Sequence, residues 1–102
     1  MEPSAAQLFD LSSKVALVTG GAKGIGRGIA EALAAAGAAV AVADMDVEGA
    51  DSVAQALQKR GSGAIAIQAD VADEESVKAL VQGVHAHFKR LDILVTTPAF
   101  SR

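Results

Sequence analysis

Several residue types that carry common site chemistry are absent from this 102-residue chain, which has no cysteine, tryptophan or tyrosine and only three phenylalanines. Without cysteine the chain forms neither disulfides nor thiolate metal sites, and this composition suits a reducing, cytoplasmic compartment. A formal net charge of −3 at pH 7 argues against nucleic acid or an anionic membrane as a partner. The longest apolar run, from Leu33 to Ala43, is too short to span a bilayer. The opening segment, MEPSAAQLFD, lacks the basic stretch and apolar core of a secretory signal.

The stretch from Val15 to Arg27, VALVTGGAKGIGR, organises the rest of the sequence. An apolar run typical of a buried strand is followed by Gly20, Gly24 and Gly26, and an alanine-rich helical pattern begins at once. The first N–H groups of a helix have no partner within it, and the helix dipole adds about half a positive charge there. Because glycine has no Cβ, a pyrophosphate can approach such a turn closely, so the expected ligand is a dinucleotide.

Glycines alone fit a plain turn about as well, so the context of the motif decides between the two interpretations. Asp44 ends a second apolar run, Ala38 to Ala43, and follows the glycines by roughly 20 positions. At that distance in a βαβ unit, an acidic residue hydrogen-bonds the hydroxyls of a ribose. The combination favours dinucleotide binding over a purely structural turn.

Apolar periodicity divides the chain into alternating strands and helices. Strands are predicted over residues 14–19, 39–43, 64–68 and 92–95, and helices over 24–36, 47–59 and a third segment capped by Asp73. Right-handed crossovers would place the first two helices on one face of a sheet and the third on the other. We therefore predict an α/β fold, the first half of a three-layer, doubly wound, Rossmann-like parallel sheet with strand order 3-2-1-4. Its ligand crevice would lie at the carboxyl ends of strands one and four.

The glycine motif also carries a resemblance to a known family. Residues Thr19 to Gly26, TGGAKGIG, resemble the Thr-Gly-x-x-x-Gly-x-Gly fingerprint of the short-chain dehydrogenase/reductase (SDR) family. Asp70-Val71 is similar to the family's adenine-contacting Asp-Val pair, and the segment LDILV, Leu91 to Val95, resembles its fourth strand. The resemblance implies hydride transfer between a nicotinamide cofactor and an alcohol or ketone.

Carried over residue by residue, the family's cofactor contacts fall on eight positions: Gly20, Lys23, Gly24, Ile25, Gly26, Asp44, Asp70 and Val71. The glycines and Ile25 would meet the phosphates, Asp44 the adenosine ribose, and Asp70 with Val71 the adenine. Because the carboxylate of Asp44 would repel the extra phosphate of NADP, NAD is the expected cofactor. Lys23 argues mildly for NADP, since a lysine there can meet that phosphate. The alternatives are a solvated loop lysine for Lys23 and a turn residue before the third helix for Asp70.

No catalytic residue and no metal ligand is assigned in this sequence. The family uses the tyrosine of a Tyr-x-x-x-Lys motif as its acid/base, with an assisting serine, and this chain has no tyrosine. Its serines, Ser101 included, precede the region where the family's serine occurs. His85 and His87 do not suit a metal, because residues two apart on a helix point to different faces.

The sequence thus indicates the NAD(P)-binding half of an SDR-like oxidoreductase that is inactive as a 102-residue chain. An alcohol or ketone substrate is then expected only in a full-length relative. One alternative is a non-catalytic module that binds a dinucleotide or caps an oligomer, and another is an unstable fragment. An uncovered fourth strand would favour self-association through its edge.

The end of the sequence departs from the family pattern. Thr96 to Ala99, TTPA, stands where the family usually has Asn-Asn-Ala-Gly. We therefore divide the chain into a lead-in over residues 1–13, a partial dinucleotide-binding domain over 14–95 and an out-of-frame tail over 96–102, the rival interpretation being a selected terminus.

The tail hypothesis makes a prediction about the DNA. Dropping one base from the codons AAC AAC GCC GGC leaves ACA ACG CCG GC, which encodes Thr-Thr-Pro-Ala. Restoring one base near codon 96 should therefore yield Asn-Asn-Ala-Gly and a later Tyr-x-x-x-Lys, as read by sequencing the gene. A restored frame without these motifs would contradict the hypothesis.

Overall fold

The computed structural model describes residues 10–97, in which strands and helices alternate along the chain. The strands are β1 (Val15–Thr19), β2 (Ala39–Asp44), β3 (Ala64–Gln68) and β4 (Ile93–Thr96). The helices are α1 (Gly24–Ala35), α2 (Val47–Lys59) and α3 (Glu74–Phe88). None of these helices combines the length and the apolarity needed to cross a membrane.

The strands form a parallel sheet in the order β3-β2-β1-β4, which confirms the predicted topology. Helices α1 and α2 pack over one face, against Val18, Val40 and Val42. Helix α3 packs over the opposite face through Leu80 and Val84. Successive side chains of a strand point to opposite faces of the sheet, and helices cover both faces here. Side chains of the central strands are therefore buried on both faces, which is why β1 and β2 are continuous apolar runs in the sequence.

The β1–α1 turn closes through a contact that only glycine allows. A Cβ at Gly26 would lie 2.7 Å from the carbonyl carbon of Gly20 and 3.2 Å from the Cα of Gly21. The turn is also fastened to β2, because the N–H groups of Gly20 and Gly21 both donate to the carbonyl of Ala43, at 2.8 and 3.2 Å. The first turn of α1 is therefore held directly against the carboxyl end of β1.

Strand β4 lies one residue later than the predicted 92–95, because Asp92 serves as an anchor instead of a strand residue. Its N–H donates to the carbonyl of Val15, and its carboxylate accepts the N–H of Val15, both at 2.9 Å. The guanidinium of Arg90 donates two further bonds of 2.8 Å to the same carboxylate. At the other end, Thr96 pairs with Thr19, so the strand extends into the first residue of the predicted tail.

The outer edge of the sheet at β4 is apolar. Within the described residues β4 pairs only with β1, and Leu94 is 57% exposed. Such an edge can pair with another chain, and self-association through it stays a prediction. The predicted tail, apart from Thr96 and Thr97, lies outside the described residues.

We expect Gly26→Ala to destabilise the protein by about 1–3 kcal/mol, the range for forcing an extra carbon into a packed site. Gly28→Ala is the matched control in the same helix, because a Cβ there meets no atom within 4 Å. That control should gain up to about 1 kcal/mol from its higher helix propensity. Urea unfolding of both variants measures the difference, and equal changes of the same sign would show that the turn does not need Gly26.

The ion pair at Asp92 predicts a stability difference that depends on pH. The hydrogen bonds from Arg90, and next the N–H of Val15, lower the pKa of the Asp92 carboxyl from its ordinary 3.8 to about 2. Because the pKa of this carboxyl is lower in the folded than in the unfolded protein, its ionised form stabilises the fold fully at pH values above the unfolded-state pKa. This stabilisation is lost as the pH falls through the folded-state pKa. Asp92→Asn should therefore melt at a lower temperature than the wild type at pH 7, and the two melting temperatures should converge towards pH 2.

The matched control for this titration is Asp51→Asn, which alters an exposed carboxylate on α2 whose described partner is the neighbouring Gln55. Its melting temperature should stay parallel to that of the wild type across the same range. A constant offset between Asp92→Asn and the wild type down to pH 2 would contradict the ion-pair explanation.

Candidate functional site

A cavity of about 580 Å³ opens at the carboxyl ends of the strands. Its lining includes Gly20 after β1 and Thr97 after β4, the two strands at which the sequence places the ligand crevice. It brings together all eight predicted cofactor contacts: Gly20, Lys23, Gly24, Ile25, Gly26, Asp44, Asp70 and Val71. They lie at or just after the carboxyl ends of β1, β2 and β3, which a parallel sheet brings to one edge. Their role as cofactor contacts stays a prediction.

Two segments that line the cavity, the β1–α1 turn and the end of β4, are in contact with each other. The hydroxyl of Thr97 donates to the carbonyl of Thr19 at 2.7 Å. Gly20 has a φ of +68°, and a Cβ on it would collide with the Thr97 hydroxyl. A side chain at Gly20 would therefore be strained by the backbone conformation and would force the Thr97 hydroxyl away from the carbonyl of Thr19.

The start of α1 is built differently from the starts of α2 and α3. The carboxylates of Asp46 and Asp73 cap α2 and α3 by accepting the N–H groups of Gly49 and Glu75, at 3.0 and 3.1 Å. At α1 the capping position is Lys23, whose side chain makes no capping bond, and the first turn holds no acidic residue. The first N–H groups of α1 thus remain available to an anion from outside the chain.

The position of Gly24 leaves room for such an anion. Its φ is +63°, and a Cβ built there would meet no atom within 4 Å. The open space at the beginning of an uncapped helix fits a phosphate group, whose charge the positive end of the helix dipole favours. The residues present therefore fit the pyrophosphate of a dinucleotide.

Asp44 is held in a fixed orientation at the end of β2. One carboxylate oxygen, Oδ2, accepts the N–H of Ala22 at 3.1 Å, and the other, Oδ1, accepts the N–H of Asp46 at 3.0 Å. An ionised carboxylate has roughly four lone-pair sites, so these two bonds leave acceptor capacity on the carboxylate. Asp44 can therefore accept ribose hydroxyls without giving up its backbone donors.

Asp70 has a structural use, as the alternative interpretation expected. Its Oδ1 accepts the N–H of Ala72 at 2.9 Å, its carbonyl accepts the N–H of Asp73 at 3.0 Å, and its own N–H donates to the hydroxyl of Ser76 at 2.9 Å. These bonds shape the turn that leads into α3. Asp70 also lines the cavity, so the turn and a ligand contact are compatible.

Three exposed apolar side chains surround the cavity: Ile25 (73% exposed), Met45 (62%) and Val71 (45%). Large apolar side chains exposed around one concavity are typical of a site that binds a flat or apolar group. The sequence predicted Ile25 and Val71 but not Met45 or Thr97. A large apolar residue directly after the strand-end Asp44 was the available signal for Met45.

The charged groups of the cavity are the cation of Lys23 and the carboxylates of Asp44 and Asp70. His85 and His87 lie on α3, are exposed, and do not line the cavity. Residues 10–97 contain no group of three or more His, Asp or Glu side chains that could hold a metal ion. The chemistry that the cavity offers is anion binding, hydroxyl binding and apolar contact.

Comparison with known proteins identifies relatives of the same architecture. The chain is 46% identical over 93 residues to the hydroxynaphthalene reductase arp2 of Aspergillus fumigatus, covering 90% of this chain and 34% of that protein. It is 45% identical over 94 residues to the D-threitol dehydrogenase of Mycolicibacterium smegmatis, covering 92% of this chain and 36% of the relative. The crystal structure of a hydroxysteroid dehydrogenase from Escherichia coli superposes with a TM-score of 0.88 at 34% identity, over 90% of this chain and 39% of the other.

The chain therefore spans about a third of the length of the curated relatives that it matches. The sequence model of the short chain dehydrogenase family matches residues 14–101. That match covers the whole sheet, the glycine turn and the cavity, and with these relatives it shows that the chain belongs to the short-chain dehydrogenase family.

Proposed function

We propose that this chain is the dinucleotide-binding portion of a short-chain dehydrogenase and that its cofactor is NAD. The observation that carries the proposal is the uncapped start of α1 at the open position of Gly24, in the same cavity as the carboxylate of Asp44. The first feature suits a pyrophosphate and the second suits a ribose diol. Together they match a dinucleotide better than either a simple phosphate or an isolated sugar.

Each group in the cavity then has a binding role. The N–H groups at the start of α1 would hold the pyrophosphate, and Asp44 would accept the hydroxyls of the adenosine ribose. Val71 and Met45 would offer apolar contacts to the adenine, with Asp70 beside them. Ile25, which is 73% exposed, would be covered once a ligand occupies the cavity.

The choice of NAD over NADP depends on opposed charges at the same cavity. Asp44 would repel a phosphate on the ribose that it binds, whereas Lys23 would attract one. Lys23 carries its charge on a flexible, solvated side chain, while Asp44 is fastened by two backbone bonds. The repulsion by Asp44 is the larger effect, because that carboxylate would lie in direct contact with the ribose.

We propose that these 102 residues bind the cofactor without carrying out turnover themselves. A bound nicotinamide supplies or accepts the hydride in reactions of the kind that the names of the relatives describe. Such a reaction also moves a proton, and the family's tyrosine acid/base is not among these 102 residues, which contain no tyrosine. We therefore expect the 102-residue chain to bind NAD and to leave alcohols and ketones unchanged.

Thermal unfolding with each nucleotide tests the binding proposal. At a concentration of about 100 times its dissociation constant, NAD should add about 2.7 kcal/mol to the unfolding free energy. NADP at the same concentration should add clearly less. In Asp44→Ala the ratio of NAD to NADP affinity, measured by calorimetry, should fall about tenfold, since removing about 1.4 kcal/mol of repulsion changes an equilibrium tenfold.

The control for the change in net charge is Asp51→Ala on α2, which does not line the cavity and should keep the wild-type ratio. Lys23→Met should weaken NADP more than NAD. Absence of stabilisation by either nucleotide would refute the binding proposal. Formation of reduced nicotinamide from any alcohol would refute the absence of turnover.

A further inference from the structure

Two segments of the chain meet at the carboxylate of Asp44. The N–H of Ala22 comes from the β1–α1 turn, and the N–H of Asp46 comes from the loop before α2. The bond from Asp46 is local, whereas the bond from Ala22 makes the orientation of Asp44 depend on the position of the β1–α1 turn. Ala22 is only 6% exposed, so its position is fixed by packing.

Gly49, in the first turn of α2, lies where these two donors come together. A Cβ at Gly49 would lie 2.5 Å from Oδ2 of Asp46 and 3.1 Å from the Cβ of Ala22. Ordinary contacts between such atoms lie at about 3.5–4.0 Å. A side chain at this position would therefore force the carboxylate of Asp46 aside and press on Ala22, whose N–H holds Asp44.

No backbone requirement explains a glycine at this position. The glycines with a positive φ in the described chain are Gly20, Gly24, Gly37 and Gly61, and Gly49 is not among them. In a helix glycine is the least favourable ordinary residue apart from proline. The local structure therefore requires Gly49 for its lack of a Cβ and not for its backbone conformation.

We propose that Gly49 is a positioning residue for the nucleotide site: it lets α2 approach the β1–α1 turn closely enough for the N–H of Ala22 to hold the carboxylate of Asp44 towards the ribose. This role rests on the proposed function in that the ligand is a dinucleotide. The placement of Asp44 itself does not depend on any ligand. The placement of Asp44 and the binding of a nucleotide can therefore be measured separately.

The test compares Gly49→Ala with Gly83→Ala. Both substitutions replace a helical glycine by alanine, but a Cβ at Gly83 in α3 meets only Ile67, at an ordinary 3.8 Å. In ¹⁵N-labelled protein without nucleotide, Gly49→Ala should shift the amide signals of Ala22 and Asp46 and speed their hydrogen exchange. Calorimetry should show NAD binding weakened about three- to tenfold, the effect of one impaired hydrogen bond, with a smaller loss for NADP. Gly83→Ala should leave these amides and both affinities as in the wild type.

Unchanged amides of Ala22 and Asp46 in Gly49→Ala would overturn the proposal. So would unchanged NAD affinity in that variant when the wild type binds NAD. If Gly49→Ala does not fold, the same amides are measured in the wild type and in Asp44→Ala. The amides of Ala22 and Asp46 should be protected from hydrogen exchange in the wild type and should lose that protection in Asp44→Ala. Unprotected amides in the wild type would overturn the proposal. A wild type that binds neither nucleotide would refute the proposed function, and the amides would still decide the placement of Asp44 by Gly49.

Discussion

The contact between Gly26 and the carbonyl of Gly20 is the constraint on which the rest of the site depends. It lets β1 turn into α1 through the short segment 20–23, so the first turn of the helix begins at the edge of the sheet. A side chain at Gly26 would separate the helix from the strand, and the open position of Gly24 would no longer border the cavity. The close packing of turn and helix therefore comes first, and the space for an anion follows from it.

All three helices begin at the same edge of the sheet, because each follows a strand in a parallel βαβ arrangement. Their starts are not equivalent, however. Asp46 and Asp73 each accept one of the first N–H groups of α2 and α3, whereas the capping position of α1 is Lys23, which makes no side-chain cap. A helix start attracts an external anion only where the chain leaves its N–H groups available. The difference in capping thus selects one of three similar helix starts as the candidate phosphate site.

Local patterns predicted most of the fold because they are stabilised locally. The bounds of α2 and β3 agree with the predicted 47–59 and 64–68, and Asp73 caps α3 as expected. The error at β4 arose where a distant group decides the outcome, since Asp92 anchors to Val15 and Arg90. For the same reason the contact of Thr97 with Thr19, across 78 positions of sequence, carried no local signal.

The sequence by itself determined the order of elements and the glycine turn, because periodicity, capping and chain reversal are properties of neighbouring residues. The full set of eight predicted site residues came from the resemblance to the family, and their role as cofactor contacts stays a prediction. The tertiary structure decided which atoms meet. That the N–H of Ala22 reaches the carboxylate of Asp44, and that Gly49 leaves room for Ala22, depends on how closely α2 packs on the β1–α1 turn. Distances between segments far apart in the chain are set by packing of the whole domain, and no local pattern encodes them.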